Sequence, residues 1–230
     1  RIVPVNKNSV IRVGSSLVTQ DTDGGTSTTQ AVTIAPDTDF LLIRVAMHDT
    51  GAAIGTVSGV TVNGAVAVQI GTVKDASNSG RIDLWGIVAP KTGNVIATYA
   101  TNNPEEAILS TTQFSGVYKT SPTGLAVTAA AATGAPTVAV PSSLGDLVVD
   151  AVQVFGGSRT VGAGQTEEFS FSVIAADFGM GGSHEAGSGK ATMSWSSVAD
   201  VWNIVGVALK PKQILLPLPT RTPSTKNIVT

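Results

Sequence analysis

The feature that most limits what this chain can become is its punctuation. Short runs of Val, Ile, Thr and Ala are closed again and again by Gly, Pro, Asn or Asp, and no long stretch keeps a helical period. Val and Thr suit a pleated, half-buried surface, whereas Gly and Asn suit the turns between strands. The predicted strands are Gln30–Ala35, Phe40–His48, Gly59–Val62, Ala65–Ile70, Arg81–Val88, Val95–Ala100 and Ala107–Phe114, then Thr137–Val140, Asp146–Phe155, Glu168–Ile174, Ala191–Ser196 and Trp202–Leu209. Asn63-Gly64 is a hairpin signature, because a type I′ turn needs positive φ at both central residues. The best helix candidate is Asn103–Ala107, where Pro104 precedes Glu105 and Glu106; it reads equally as a loop. About twelve short strands with such turns predict an all-β, antiparallel sandwich or barrel.

An internal echo divides the chain in two. Ala35-Pro36 leads through a turn to Leu41-Leu42-Ile43-Arg44-Val45, and Val140-Pro141 leads to Leu147-Val148-Val149-Asp150-Ala151, each with one charge fourth in an apolar strand. A second pairing sets Trp85-Gly86-Ile87-Val88 against Val205-Gly206-Val207-Ala208. Two Greek keys folded into a jelly roll generate such an echo, as does chance in a Val- and Ala-rich chain. The expected fold is an antiparallel jelly-roll-type β-sandwich of two packed sheets, with extended N- and C-terminal arms. Its expected parts are residues 1–29 (arm and first strand), 30–210 (sandwich) and 211–230 (Pro-rich arm). Phe40–Met47 and Asp146–Phe155 are apolar on both faces, which implies cover on both. In a lone sandwich that second cover comes from a loop, an arm or another subunit.

Several function classes are set aside by composition. Net charge is −2 with no basic cluster, so nucleic-acid binding by counterion release has no footprint. There is no cysteine, which removes disulfides and thiolate zinc sites. No window has the length and apolarity of a membrane span. Charged residues make up 13%, against about 25% in a typical soluble domain, which fits a protein that buries surface in assemblies.

Catalytic signals are sparse. His48, at a strand end, and His184, in the Gly-rich loop Gly179–Gly189, lack a nucleophile elbow, and the pairs Glu105-Glu106 and Glu167-Glu168 point to opposite faces if they lie on strands. Asp21-Thr22-Asp23-Gly24-Gly25 alternates oxygens as calcium prefers but lacks the rest of a calcium loop; Asp21 and Asp23 are the candidate ligands, with Asp37, Asp39, Asp75 and Asp83 as further oxygen donors. An Asx turn explains the same residues. No other metal or cofactor is expected. Trp85, Trp195, Trp202, Tyr99 and Tyr118 are the aromatics that a sugar would stack on, and core or interface packing is the favoured reading for the tryptophans. In the C-terminal arm, Ile214, Leu215, Leu216 and Leu218 are too many large aliphatics for a solvated linker. They are expected to dock on a neighbouring copy, with the surfaces near Leu42 and Val148 as receivers.

Taken in order, Val57-Ser58-Gly59-Val60-Thr61-Val62-Asn63-Gly64, Arg81-Ile82-Asp83-Leu84-Trp85, Phe114-Ser115-Gly116-Val117, Gly145–Asp150, Gly162–Thr166, Gly181-Gly182-Ser183 and Met193-Ser194-Trp195 resemble a jelly-roll domain that recurs in phage virion proteins and bacterial surface proteins. The likeness covers roughly residues 30–210 and rests on turn and core signatures. It implies a non-enzymatic, self-assembling subunit (capsid decoration, tail or fibre, or surface filament) located in a virion or at an extracellular surface. Its implied partners are copies of itself or other virion or surface proteins. The alternative is a carbohydrate-binding or adhesin module of a secreted bacterial protein, with a glycan as ligand.

Overall fold

The computed structural model describes residues 6–7, 9–50, 53–100, 104–156, 159–173, 177–196 and 201–214. All of its regular structure is antiparallel β. The N-terminal half begins with β1 (Asn6–Lys7), β2 (Ile11–Asp21), β3 (Ser27–Val32), β4 (Phe40–His48) and β5 (Thr56–Val62). It continues with β6 (Ala65–Val66), β7 (Val68–Lys74), β8 (Gly80–Val88), β9 (Gly93–Ala100) and β10 (Glu106–Ser115). The C-terminal half holds β11 (Val127–Ala131), β12 (Thr137–Pro141), β13 (Leu147–Phe155), β14 (Thr160–Val161) and β15 (Thr166–Val173). It ends with β16 (Phe178–Ala186), β17 (Lys190–Ser196), β18 (Trp202–Leu209) and β19 (Gln213–Ile214).

The sheets stack in four layers rather than the expected two. An inner five-stranded sheet, β2-β10-β4-β8-β7, is backed by an outer sheet, β3-β9-β5-β6; a second inner sheet, β11-β18-β13-β16-β15, is backed by β12-β17-β14. The halves match strand for strand in these orders: β2 with β11, β10 with β18, β4 with β13, β8 with β16 and β7 with β15. Each inner sheet packs one face on its own outer sheet, through clusters around Leu41, Val45, Val60 and Val95 in the first half and Val140, Val152, Met193 and Ile204 in the second. Their other faces meet across a central core of Leu42, Ile82, Leu84, Ile108, Val149, Met180 and Val207.

That central core explains the doubly apolar strands. Every residue of β4 is buried because β4 lies in the middle of an inner sheet, covered on both sides. The second cover is the other half of the same chain, so Leu42 and Val148 are internal and neither surface can receive an arm. The echo between β4 and β13 falls on equivalent strands, whereas Trp85–Val88 lies in β8 and Val205–Ala208 in β18, whose counterparts are β16 and β10. The hairpin at Asn63-Gly64 closes as expected, with φ of 47° and 80°. Among the described residues there is no helix; β10 starts at Glu106, within the predicted helix start. The expected boundary at residue 30 cuts β3, and β2 is an edge strand of the first inner sheet. The described ends of the chain join in a short ribbon, with Lys7 opposite Gln213 and Asn6 opposite Ile214.

Candidate functional site

The most elaborate polar site lies in the seam between the two inner sheets. Arg44, on the central face of β4, donates from Nε to the Asp150 carbonyl (2.8 Å), from Nη1 to Thr112 Oγ1 (2.8 Å) and from Nη2 to Glu168 Oε2 (2.7 Å). Its guanidinium also lies over the Phe169 ring, 5.5 Å from the centroid. Thr112 donates to the same Glu168 oxygen, and His184 Nδ1 is 3.2 Å from the other. The side chains of Arg44 and Glu168 are fully buried. Glu168 can reach inward because β15 carries a bulge between Glu167 and Phe169. Burial raises its pKa, but the Arg44 charge, His184 and Thr112 outweigh that and bring it to about 2. The arrangement clamps the halves together, since Arg44 and Thr112 come from the first and Asp150 and Glu168 from the second.

A second polar cluster adjoins it. Asp150 turns toward the outer sheet, where Oδ1 accepts from the Ser183 N–H (2.7 Å) and hydroxyl (2.9 Å) and Oδ2 from Trp195 Nε1 (2.8 Å). Burial lifts its pKa to about 7 against the opposing pull of those donors and Arg44.

Near one end, Asp39 accepts from Gly116 N–H at 2.8 Å, with Lys212 Nζ at 2.9 Å and Lys119 Nζ at 3.2 Å. Partial burial raises its pKa, yet these donors bring it below the ordinary carboxylate value. Beside it, a groove of about 360 Å³ opens where the seam between the inner sheets reaches the surface. Its floor is Phe40 and its rim includes Val66 and Val68, which are 74% and 70% exposed.

The residues predicted from sequence fall into separate places. Asp21 Oδ1 accepts the Asp23 N–H (3.0 Å) in an Asx turn, and its other oxygen is 3.4 Å from the Thr28 hydroxyl. Asp75 is held by Ser77 and Ser79, and Asp83 by Arg81 and Gln69. Among the described residues no three His, Asp or Glu side chains gather around a metal position. His48 pairs with Glu106 (2.7 Å) and packs against the Phe155 and Phe178 rings. His184, expected in a Gly-rich loop, sits on β16. Trp85, Trp195 and Trp202 are buried, as is Tyr99; Tyr118 is 38% exposed. Ile214 ends β19, while Leu215, Leu216 and Leu218 lie outside the described residues.

Neither the clamp nor the groove was foreseen. The lone charge in each apolar strand, Arg44 and Asp150, was the available signal for the clamp. Comparison with protein-family models, curated proteins and solved structures finds no match to this chain.

Proposed function

We propose that the chain is a non-enzymatic, self-assembling structural subunit of a virion or surface filament: a capsid-decorating, tail or fibre component placed in a virion or at an extracellular surface. One observation carries this reading. The strands of the two outer sheets, which form the broad faces of the stack, hold a single charged residue, Lys190 at the start of β17. Their outward positions are Ser27, Thr29, Asn94, Thr98, Thr137 and Thr192 and similar small groups. Arg44 and Glu168 lie instead in the seam, and Asp39, Lys119 and Lys212 at a rim. Depletion of charge is what marks the centre of a protein interface, and flat neutral faces stack without desolvating ions.

The strand order supports a jelly-roll reading of each half. Setting aside the β1-β19 ribbon and counting β6 and β7 as one strand that changes sheets, the first half places its first, eighth, third and sixth strands in one sheet and its second, seventh, fourth and fifth in the other. The second half follows the same order, except that its fifth strand stays with the inner sheet. This is the arrangement of two interlocked Greek keys. On this reading the resemblance seen in the sequence spans two such units in tandem.

Electron microscopy of the purified chain, with light scattering across a concentration series, tests the proposal. Regular rings, arrays or filaments are expected. A chain that remains monomeric throughout and binds immobilised glycans would replace it with the adhesin reading.

A further inference from the structure

The groove at the end of the inter-sheet seam is walled by β6, β7 and β8 on one side and by Lys119–Thr123 on the other. Phe40 at its floor belongs to the central core, so a side chain entering the groove extends that core. The rim carries Val66, Val68 and Val88, three of the large apolar side chains that the fold leaves exposed. Among the described residues Lys119 is its one ionisable lining residue, and that ammonium is turned to Asp39. Such a site suits an uncharged aliphatic segment. It also offers a backbone edge, because among the described residues β7 is the last strand of its sheet and pairs only with β8.

The chain itself supplies a segment of that chemistry beyond β19: Leu215-Leu216-Pro217-Leu218-Pro219, with no charge between Lys212 and Arg221. Its prolines alternate. In an added edge strand, alternate residues share both a face and the direction of their N–H groups. Leu216 and Leu218 would therefore present their N–H groups to β7 and their side chains to the groove together. Pro217 and Pro219, which lack an N–H, would fall on the outward side, where an edge strand tolerates proline.

The direction of the chain favours another molecule as the donor. Gly124 N–H donates to the Ala208 carbonyl, Lys210 N–H to Pro122, Tyr118 N–H to Lys210 and Lys212 N–H to Gly116. The C-terminal strand thus runs antiparallel to residues 124 to 116, and leaves past Gly116 toward β1, away from the Lys119–Thr123 wall.

We propose that the groove lined by Phe40, Val66, Val68, Ile70, Val88 and Pro122 receives the Leu215–Pro219 segment of a second copy of this chain. The inference rests on the self-assembly reading and gives that assembly its joint. Each molecule both donates an arm and offers a groove, so exchange in one direction makes a heterologous contact that propagates into rings or filaments.

The test uses three full-length proteins: the wild type, a groove variant V66D/V68D, and an arm variant L215S/L216S/L218S. Both valines are exposed, and unchanged far-ultraviolet circular dichroism and melting establish that the variants fold. Sedimentation velocity is expected to show wild-type association weakened by about tenfold or more in each variant. Mixing the two variants is expected to restore a single contact, giving a dimer that does not grow, because one partner keeps its arm and the other its groove. A fluorescent peptide spanning Lys212–Arg221 is expected to bind the arm variant and not the groove variant. Undiminished assembly by both variants would overturn the arm and groove while leaving self-assembly standing. A monomeric wild type would overturn both readings, and peptide binding that is indifferent to V66D/V68D would overturn the groove.

Discussion

Replacing Arg44 with methionine keeps most of the aliphatic length of the side chain while removing its charge from the seam. The wild-type guanidinium donates to the Asp150 carbonyl, Thr112 and Glu168. Its loss leaves the Glu168 carboxylate fully buried without its cation. Breaking a buried pair from one side costs about 3–5 kcal/mol. At roughly 2–4 °C per kcal/mol for a chain of this size, melting should fall on the order of 10 °C. Glu168→Gln should also destabilise by stranding the Arg44 charge, and the double variant should cost less than the sum of the two. Acid adds a second readout. The folded pKa of Glu168 is lowered from 4.5 to about 2, so its stabilisation is present above pH 4.5 and is lost as pH falls through 2. That window is worth about 3 kcal/mol and should shrink in Arg44→Met. Urea unfolding at neutral and acid pH, followed by the fluorescence of the buried tryptophans, measures both effects. A cost under about 1 kcal/mol for Arg44→Met, or strict additivity with Glu168→Gln, would refute the clamp as a source of stability.

Asp150 should act in the opposite sense. Its folded pKa, raised from 3.8 to about 7, means that stability present below pH 4 declines as pH rises toward 7, by about 4 kcal/mol. Asp150→Asn should flatten that decline in pH-dependent melts while starting from a lower value, because an amide cannot accept from both Ser183 and Trp195; a persisting decline would reassign it to another group. Gly86→Ala would press a methyl into the Phe40 ring and to 3.0 Å from Ile70 Cδ1, and should cost about 1–3 kcal/mol in urea unfolding through overpacking. Gly64→Ala meets open space but holds φ at +80°, so a smaller loss of about 1–2 kcal/mol, from backbone strain alone, should appear in the same assay.

The strands whose patterns are dense in large aliphatics were legible, and β4 and β18 match their predicted bounds residue for residue. Besides the two-residue strands β1, β14 and β19, three longer strands were given no bounds. In β16, Gly179, Gly181 and Gly182 read as a loop, yet each clears space for a large neighbour: an added Cβ would meet Arg159, Trp195 and Phe169 respectively. The glycines there mark close packing and not a turn. In β11, the three alanines carry too little side chain to show an alternation. As an edge strand, β2 has no fully buried position and so no clean inward face. The layer count was missed for a related reason. Two-sided apolarity in β4 and β13 announced a second cover, but periodicity cannot name what supplies it, and the covering face lies more than a hundred residues along the same chain. Arg44 and Asp150 stood out as lone charges, whereas Glu168 was hidden in an acidic pair until the bulge in β15 turned it inward.

The pairing of β2 with β10 has a consequence for how the chain is made on the ribosome. The first half can close its sheet only once Ser115 has emerged, and by then all of its strands are present. The central face of that sheet, with Leu42, Ile82, Leu84 and Ile108, then awaits β13, β16 and β18. At about 5–20 residues per second, the 94 residues from Ser115 to the end of β18 at Leu209 take about 5–19 s to appear. During that interval a nascent half presents a broad aliphatic sheet face to its surroundings. Neighbouring chains on one message would present the same face at the same moment, so the yield of folded protein should depend on how closely ribosomes follow one another and on how quickly the second half is translated.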